Sequence, residues 1–167
     1  HYSFIGSREF GSFAEYVVVP EKNAVPFADE VTFEQGAFFE PATVALHGLQ
    51  RVPYEGGKTV AILGGGTIGM FVMQWAKIFG AKEAVVFDIA KERLDLGKRL
   101  GATAGINTLD DDFMDQAMKL TNGRGFDYVF ETAGNVITMK MAFELAANKA
   151  NVCFVGTPTK ELSFSIK

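Results

Sequence analysis

The sequence predicts an α/β fold built on an open, doubly wound parallel sheet. Three observations carry that reading. From Gly56 onward, short apolar runs alternate with amphipathic ones at the spacing of repeated strand–helix–strand units. The helix-like runs close on glycine (Gly80, Gly101, Gly123), the residue that most easily takes the left-handed turn at a helix end. Four glycines crowd the stretch GGGTIG, Gly64 to Gly69, between a buried-strand pattern and a helix pattern.

The elements follow in order. SFAEYVVV (12–19) is β-branched and aromatic and reads as a strand ended by Pro20. TFEQ (32–35) has the pattern of a capping box and opens a helix. Pro41 is expected to hold Glu40 extended and to restart a second helix, ATVALHGLQRV (42–52). KTVAILG (58–64) is a short buried strand. TIGMFVMQWAKIFG (67–80) is a helix with Ile68, Val72, Trp75 and Phe79 at helical spacing. EAVVFD (83–88) is a strand, AKERLDLGKRLG (90–101) a helix and TAGIN (103–107) a short strand. DDDFMDQAMKLTNG (110–123) is a helix with acids in its first turn, where the macrodipole favours them. FDYVFETAG (126–134) is a strand running into a turn, followed by a helix, VITMKMAFELAA (136–147). ANVCFVGTP (150–158) and LSFSI (162–166) read as further strands. Right-handed crossovers then cover both sheet faces with helices. Ligands of such sheets bind outside the carboxyl ends of the strands.

Composition narrows the class. With 167 residues, 48% of them apolar, the chain suits one domain, or one plus a piece of another, with a true core. A net charge of −4 argues against a non-specific nucleic-acid surface but leaves anion binding by backbone amides open. Cys153 is alone, so neither an intrachain disulfide nor a CxxC metal knuckle forms, and a cytoplasmic setting fits. Its neighbours in NVCFVG mark it as a small buried hydrophobe rather than a nucleophile. HYSFIGSREFGS has no basic-then-apolar leader pattern. The longest uncharged apolar stretch, 59–76, is interrupted by glycines and Gln74, so no membrane span is expected.

The glycines have a chemical reading. Gly64-Gly65-Gly66-Thr67-Ile68-Gly69 matches G-x-G-x-x-G after a strand and at the start of a helix, the context in which that pattern binds a dinucleotide. Gly64 would allow the tight turn, Gly66 the close approach of a pyrophosphate, and Gly69 the packing of helix on strand. The free amides around Thr67 would bind the diphosphate. Asp88 ends the next strand, 19 residues after Gly69, where a carboxylate takes both ribose hydroxyls and repels a 2′-phosphate. This predicts a Rossmann-type domain that prefers NAD to NADP. Arg93 lies nearby, to flank the adenine or to sit as a surface charge. Glu131-Thr132-Ala133-Gly134 and Val155-Gly156-Thr157 end two further strands over the same crevice. Their backbone groups are candidates for the adenine side and the nicotinamide amide.

GSFAEYVVVP, FFEPATVALHG, VAILGGGTIGM, VFDIAKERL, FETAG and FVGTP together resemble the medium-chain dehydrogenase/reductase family. Within it they are most similar to the zinc-dependent polyol dehydrogenases, to which the E-P-x-x-V-x-x-H run at Glu40–His47 is fairly specific. The resemblance implies a two-domain NAD(H) oxidoreductase acting on a secondary alcohol of a polyol or sugar phosphate. Its zinc would polarise the alcohol oxygen. Glu40 matches the glutamate that stands beside that zinc, as a ligand or through its water. Ile68, Asp88, Arg93 and Val155 to Thr157 match cofactor contacts. His47 reads as a packed or hydrogen-bonded interdomain residue rather than a ligand. The family's first zinc cysteine, its Gly-His-Glu motif, its four-cysteine lobe and a sixth strand have no counterpart in this chain. Residues 1–42 are therefore expected to be the tail of a GroES-like, β-rich catalytic domain with a linker. Residues 43–167 are expected to be an NAD-binding domain shortened at its end, inactive alone, from a parent enzyme that is a homo-oligomer. Two alternatives remain: a zinc-free, NADPH-dependent quinone or enoyl reductase, and a non-catalytic nucleotide module such as one built for a methyl donor.

Overall fold

TVAIL carries no charge, and every residue of the strand it forms, β1 (Thr59–Leu63), is buried. Such a strand belongs at the centre of a sheet covered on both faces. The computed structural model describes residues 5–158 and 160–163 and bears this out. β1 pairs in parallel with β2 (Glu83–Asp88) on one side and with β4 (Phe126–Glu131) on the other. β3 (Ala104–Asn107) extends the sheet beyond β2, and β5 (Ala146–Phe154) extends it beyond β4. The order is β3-β2-β1-β4-β5, all parallel, a Rossmann-like sheet.

Period-two alternation sends successive side chains to opposite faces. Val60, Ile62, Val86 and Phe130 lie in one core with Met73 and Ala76 of α3 (Thr67–Ile78) and Leu94 of α4 (Lys91–Arg99). Ala45 and Leu49 of α2 (Phe39–Gln50) join the same core. Ala61, Leu63, Val85, Phe87 and Val129 face the other way, onto Ala117 of α5 (Phe113–Leu120) and Ala142 and Leu145 of α6 (Val136–Leu145). At the amino end of the sheet, the Asp127 carboxylate accepts from the backbone N–H and hydroxyl of Thr59, both at 2.9 Å. Burial would raise its pKa; these bonds outweigh burial and lower it.

The chain divides into two compact units, residues 1–37 and 38–167. The first holds a 3₁₀ turn at Glu21–Asn23 and α1 (Phe33–Gly36), whose Thr32–Gln35 capping box forms as expected. The strand expected at 12–19 does not form. Within this unit Phe13, Tyr16 and Val18 are at least 90% exposed, and no described strand there offers a ladder. An extended segment without a partner leaves its backbone groups to solvent.

Other departures are local. Pro41 does not interrupt a helix; the break falls at Ala37–Phe38, and Glu40 and Pro41 lie in the first turn of α2. A first-turn residue has no helical partner for its N–H, so proline fits there. The buried positions of α3 are Gly69, Met70, Val72, Met73 and Ala76, while Phe79 is exposed. This helix is apolar nearly all round, so periodicity alone did not settle its buried face. α5 begins at Phe113, after a turn over the leading acids. α6 ends at Leu145 and β5 starts directly at Ala146, with a register irregularity against β4 and Lys149 at φ +67°. Of the strand expected at 162–166, Leu162 and Ser163 are irregular and the rest lies outside the described residues.

Candidate functional site

Strand order reverses at β1: the chain winds outward through β2 and β3, then returns to place β4 on β1's other flank. The loops leaving β1 and β4 therefore diverge and open a crevice at their carboxyl ends, where ligands of such sheets bind. A cleft of about 380 Å³ lies there, lined by Gly64, Asp88, Ile89, Arg93, Thr108 and Ala133 among others.

Each glycine of the β1–α3 turn stands for a different reason. Gly64 has φ +101°, and a methyl group there would lie 3.0 Å from the Ala133 nitrogen. A methyl at Gly69 would lie 1.9 Å from the Gly64 carbonyl oxygen. Gly66 is the opposite case: its backbone is ordinary, at φ −76°, and a methyl would meet nothing within 4 Å. It faces open space at the start of α3. The first helical hydrogen bond shown there runs from Met70 N–H to the Gly66 carbonyl. The amides of Thr67, Ile68 and Gly69 precede it, at the electropositive end of a 12-residue helix. That geometry can hold a phosphate oxygen without any cationic side chain. Thr67 is exposed, and Ile68 is half-buried against the core.

Asp88 is buried at the end of β2, with its side chain 5% exposed. Its Oδ2 accepts from Gly65 N–H at 2.7 Å and from Arg93 Nη1 at 3.4 Å; Oδ1 accepts from Ala90 N–H at 2.8 Å. Burial works to raise this carboxyl's pKa, but the two backbone N–H groups and Arg93 prevail and lower it from the usual 3.8. A depressed folded-state pKa stabilises the fold above the unfolded value and loses that contribution as pH falls through the folded one. Asp88→Asn is therefore expected to flatten the stability loss seen below about pH 4 in acid titrations followed by circular dichroism. An unchanged acid limb would contradict this account. Arg93 is more than half exposed and borders the cleft, so the same guanidinium that neutralises Asp88 can also meet an anion.

The loops after β4 and β5 meet over this end of the sheet. Thr132 turns its hydroxyl onto the carbonyls of Leu63 and Gly64, both at 3.0 Å, and so braces the glycine turn. Val155 and Gly156 donate their N–H groups to the Glu131 carbonyl at 2.8 and 3.0 Å. Val155 also packs on α2, where a methyl at Gly48 would come within 3.0 Å of it. Thr157 is exposed, with its carbonyl against Gly134. Cys153 is half-buried and donates to the Gly48 carbonyl at 3.5 Å, and burial raises its pKa, as expected of an unreactive thiol.

Sequence reasoning gave no role to the side chain of Glu131, which is fully buried with three hydrogen-bonded donors around its carboxyl. One charge closing the apolar run YVF, directly before TAG, was the available signal. The role of Gly65 was also missed, because the Asp88 bond is made by its backbone.

Glu40 is exposed in the first turn of α2. His47, expected to be packed or hydrogen-bonded, is exposed rather than packed, and its Nε2 accepts from Arg51 Nε at 3.1 Å. Among the described residues no three His, Cys, Asp or Glu side chains cluster to hold a metal. Zinc needs at least three protein ligands, so the residues described do not by themselves fit a zinc centre.

Comparison with known proteins agrees with the fold. Residues 67–167 match the family model described as zinc-binding dehydrogenase. The chain is 38% identical over 161 residues to galactitol 1-phosphate 5-dehydrogenase of Escherichia coli (strain K12), covering 96% of this chain and 46% of that protein. The crystal structure of galactitol-1-phosphate dehydrogenase from Escherichia coli superposes with a TM-score of 0.87 at 37% identity, over 99% of this chain and 48% of that one. Sorbitol dehydrogenase of Bacillus subtilis (strain 168) is 32% identical over 150 residues, covering 90% of this chain and 42% of that protein. A structure from Sinorhizobium meliloti 1021, described as a zinc-binding dehydrogenase bound to NADP, gives a TM-score of 0.88 at 33% identity over 96% of this chain and 48% of that one. The chain thus spans about half the length of the relatives it matches. With a family model over most of its length and a sheet that carries the glycine turn at its switch point, the chain belongs to the zinc-binding dehydrogenases of the medium-chain dehydrogenase/reductase family.

Proposed function

We propose that this chain is the nicotinamide-dinucleotide-binding portion of a zinc-dependent dehydrogenase. The parent enzyme would move hydride from a secondary alcohol of a polyol or sugar phosphate to NAD. One observation carries the reading: an open Gly66 at the start of α3 beside a buried Asp88 at the end of the neighbouring strand. In this reading Gly64, Gly66, Thr67, Ile68 and Gly69 receive the pyrophosphate. Asp88, with Arg93 beside it, receives the adenosine ribose. Thr132 braces the turn, and Val155, Gly156 and Thr157 lie toward the nicotinamide. The names of the relatives support the substrate class. Glu40 would stand beside the zinc only together with ligands from outside the described residues, and residues up to 42 would belong to the catalytic domain. A cytoplasmic homo-oligomer goes with this reading, with no nucleic-acid partner. Among the described residues no helix is long and apolar enough to cross a membrane.

A second reading has its own support. Arg93 is exposed beside Asp88, and a structural relative was solved with NADP. A guanidinium there can take a 2′-phosphate. The two readings part in one titration. The chain is mixed with NADH and, separately, NADPH, and energy transfer from Trp75 to the reduced nicotinamide is followed. The expected result is saturable NADH binding, at least tenfold tighter than NADPH, with the gap narrowed in Asp88→Ala. Tighter NADPH binding would move the assignment to the NADPH reading. Recovery of a methyl-donor nucleotide from the purified chain by mass spectrometry would overturn both.

A further inference from the structure

Glu131 is a buried acid held by hydrogen bonds. Its Oε1 accepts from Ala133 N–H at 3.0 Å, Gly134 N–H at 3.0 Å and the Thr138 hydroxyl at 2.7 Å. Its main-chain carbonyl accepts from Val155 and Gly156. A methyl group on Gly156 would come within 2.8 Å of Oε2 and 2.3 Å of the Gly134 nitrogen, so the second loop lies directly on the carboxyl group and on the first loop. One residue thus joins the turn after β4, the start of α6 and the turn after β5. Burying a carboxyl is costly unless its bonds are made, so the turn after β4 and the start of α6 are held on it, while the turn after β5 is held by the same residue's main-chain carbonyl and lies against the carboxyl.

We infer that Glu131 is a positioning residue that fixes the spacing of loops 132–134 and 155–157, and through it the affinity of the cleft for both halves of a dinucleotide. The inference rests on the nucleotide reading above. Ala133, Asn135 and Thr138 line the cleft beside Asp88, so movement of this turn changes the wall a nucleotide meets. Thr132 follows Glu131 directly and braces Gly64, so displacement also reaches the glycine turn.

Glu131→Gln tests this. The amide keeps the shape, but its NH₂ must face one of the N–H or O–H donors, since Oε1 and Oε2 both lie within 3.3 Å of the Gly134 nitrogen. Bonds to a charged acceptor are also the stronger kind. The expected result is an NADH dissociation constant about tenfold higher, with faster amide hydrogen exchange in 132–138 and 154–157 together and no change in β1 and β2. Thr138→Val should reproduce part of both effects, Thr138→Ser, which keeps the hydroxyl, should show neither, and the double variant of Thr138→Val with Glu131→Gln should be no worse than Glu131→Gln alone. Exchange that rises in only one loop, or loops that loosen while NADH affinity stays within twofold, would overturn the inference. If Glu131→Gln fails to fold, Thr138→Val carries both readouts. The exchange measurement needs no nucleotide: an unmodified chain that binds neither NADH nor NADPH defeats the dinucleotide reading, while coupled or uncoupled exchange still decides whether Glu131 joins the loops.

Discussion

Gly69→Ala is expected to destabilise the chain by about 3 kcal/mol or more, at the upper end of overpacking effects. The added carbon would sit 1.9 Å from the Gly64 carbonyl oxygen and within 2.8 Å of the Thr132 hydroxyl. Neither neighbour can yield cheaply. The Gly64 carbonyl is backbone, in a turn whose own N–H is committed to Phe87 at 2.8 Å. The Thr132 hydroxyl is donated to Leu63 and Gly64. The alternative is to lift the start of α3 off β1, which opens the core beneath Met70 and Met73. Thermal unfolding should show the melting temperature lowered by roughly 6–12 °C. A variant as stable as the unmodified chain would mean that helix and strand do not approach as closely as described.

Gly66→Ala is expected to do the reverse: leave stability within about 0.5 kcal/mol and weaken NADH by roughly 30- to 100-fold, a loss of about 2–3 kcal/mol of binding energy. Gly66 has φ −76° and ψ −174°, which any residue adopts, and its methyl would point into empty space. The folded chain has no reason to resist it. In the proposed function, that space is where the pyrophosphate comes to reach the amides of Thr67 to Gly69. Near-normal melting with lost NADH binding would separate a ligand's need for glycine from the fold's need for it. Near-normal melting with full NADH affinity would remove the pyrophosphate from this turn and, with it, the main support for the proposed function.

The contrast between these two glycines shows what can be read at each level. The motif names both residues, and its spacing after a buried strand is what suggests the proposed dinucleotide role without coordinates. It does not say that one glycine answers to the protein's own backbone and the other to empty space, because that depends on where Gly64 and Thr132 stand. The place of Asp88 beside the turn was legible for the same local reason: it is the acid that closes AVVFD. Its existing bonds to Gly65 and Ala90 were not, since a backbone N–H leaves no trace in a sequence. The strand expected at 12–19 failed because a strand is a property of a pair, and the described part of that unit supplies no partner.

The sequence by itself determined the class of fold, the order of its elements from β1 to β5 and the place of the glycine turn that we propose meets a phosphate. Those follow from periodicity and glycine chemistry, which act over a few residues. Tertiary structure alone decided that the helix face of α3 buries Met73 and Ala76, that Glu40 and Pro41 share a first helical turn, and that Glu131 ties two loops 21 or more residues apart in the chain. These depend on which groups are brought together once the sheet closes. A chain that is apolar on all sides of a helix, or that buries one acid under two turns, leaves that choice to packing and to hydrogen bonds that must be satisfied out of water.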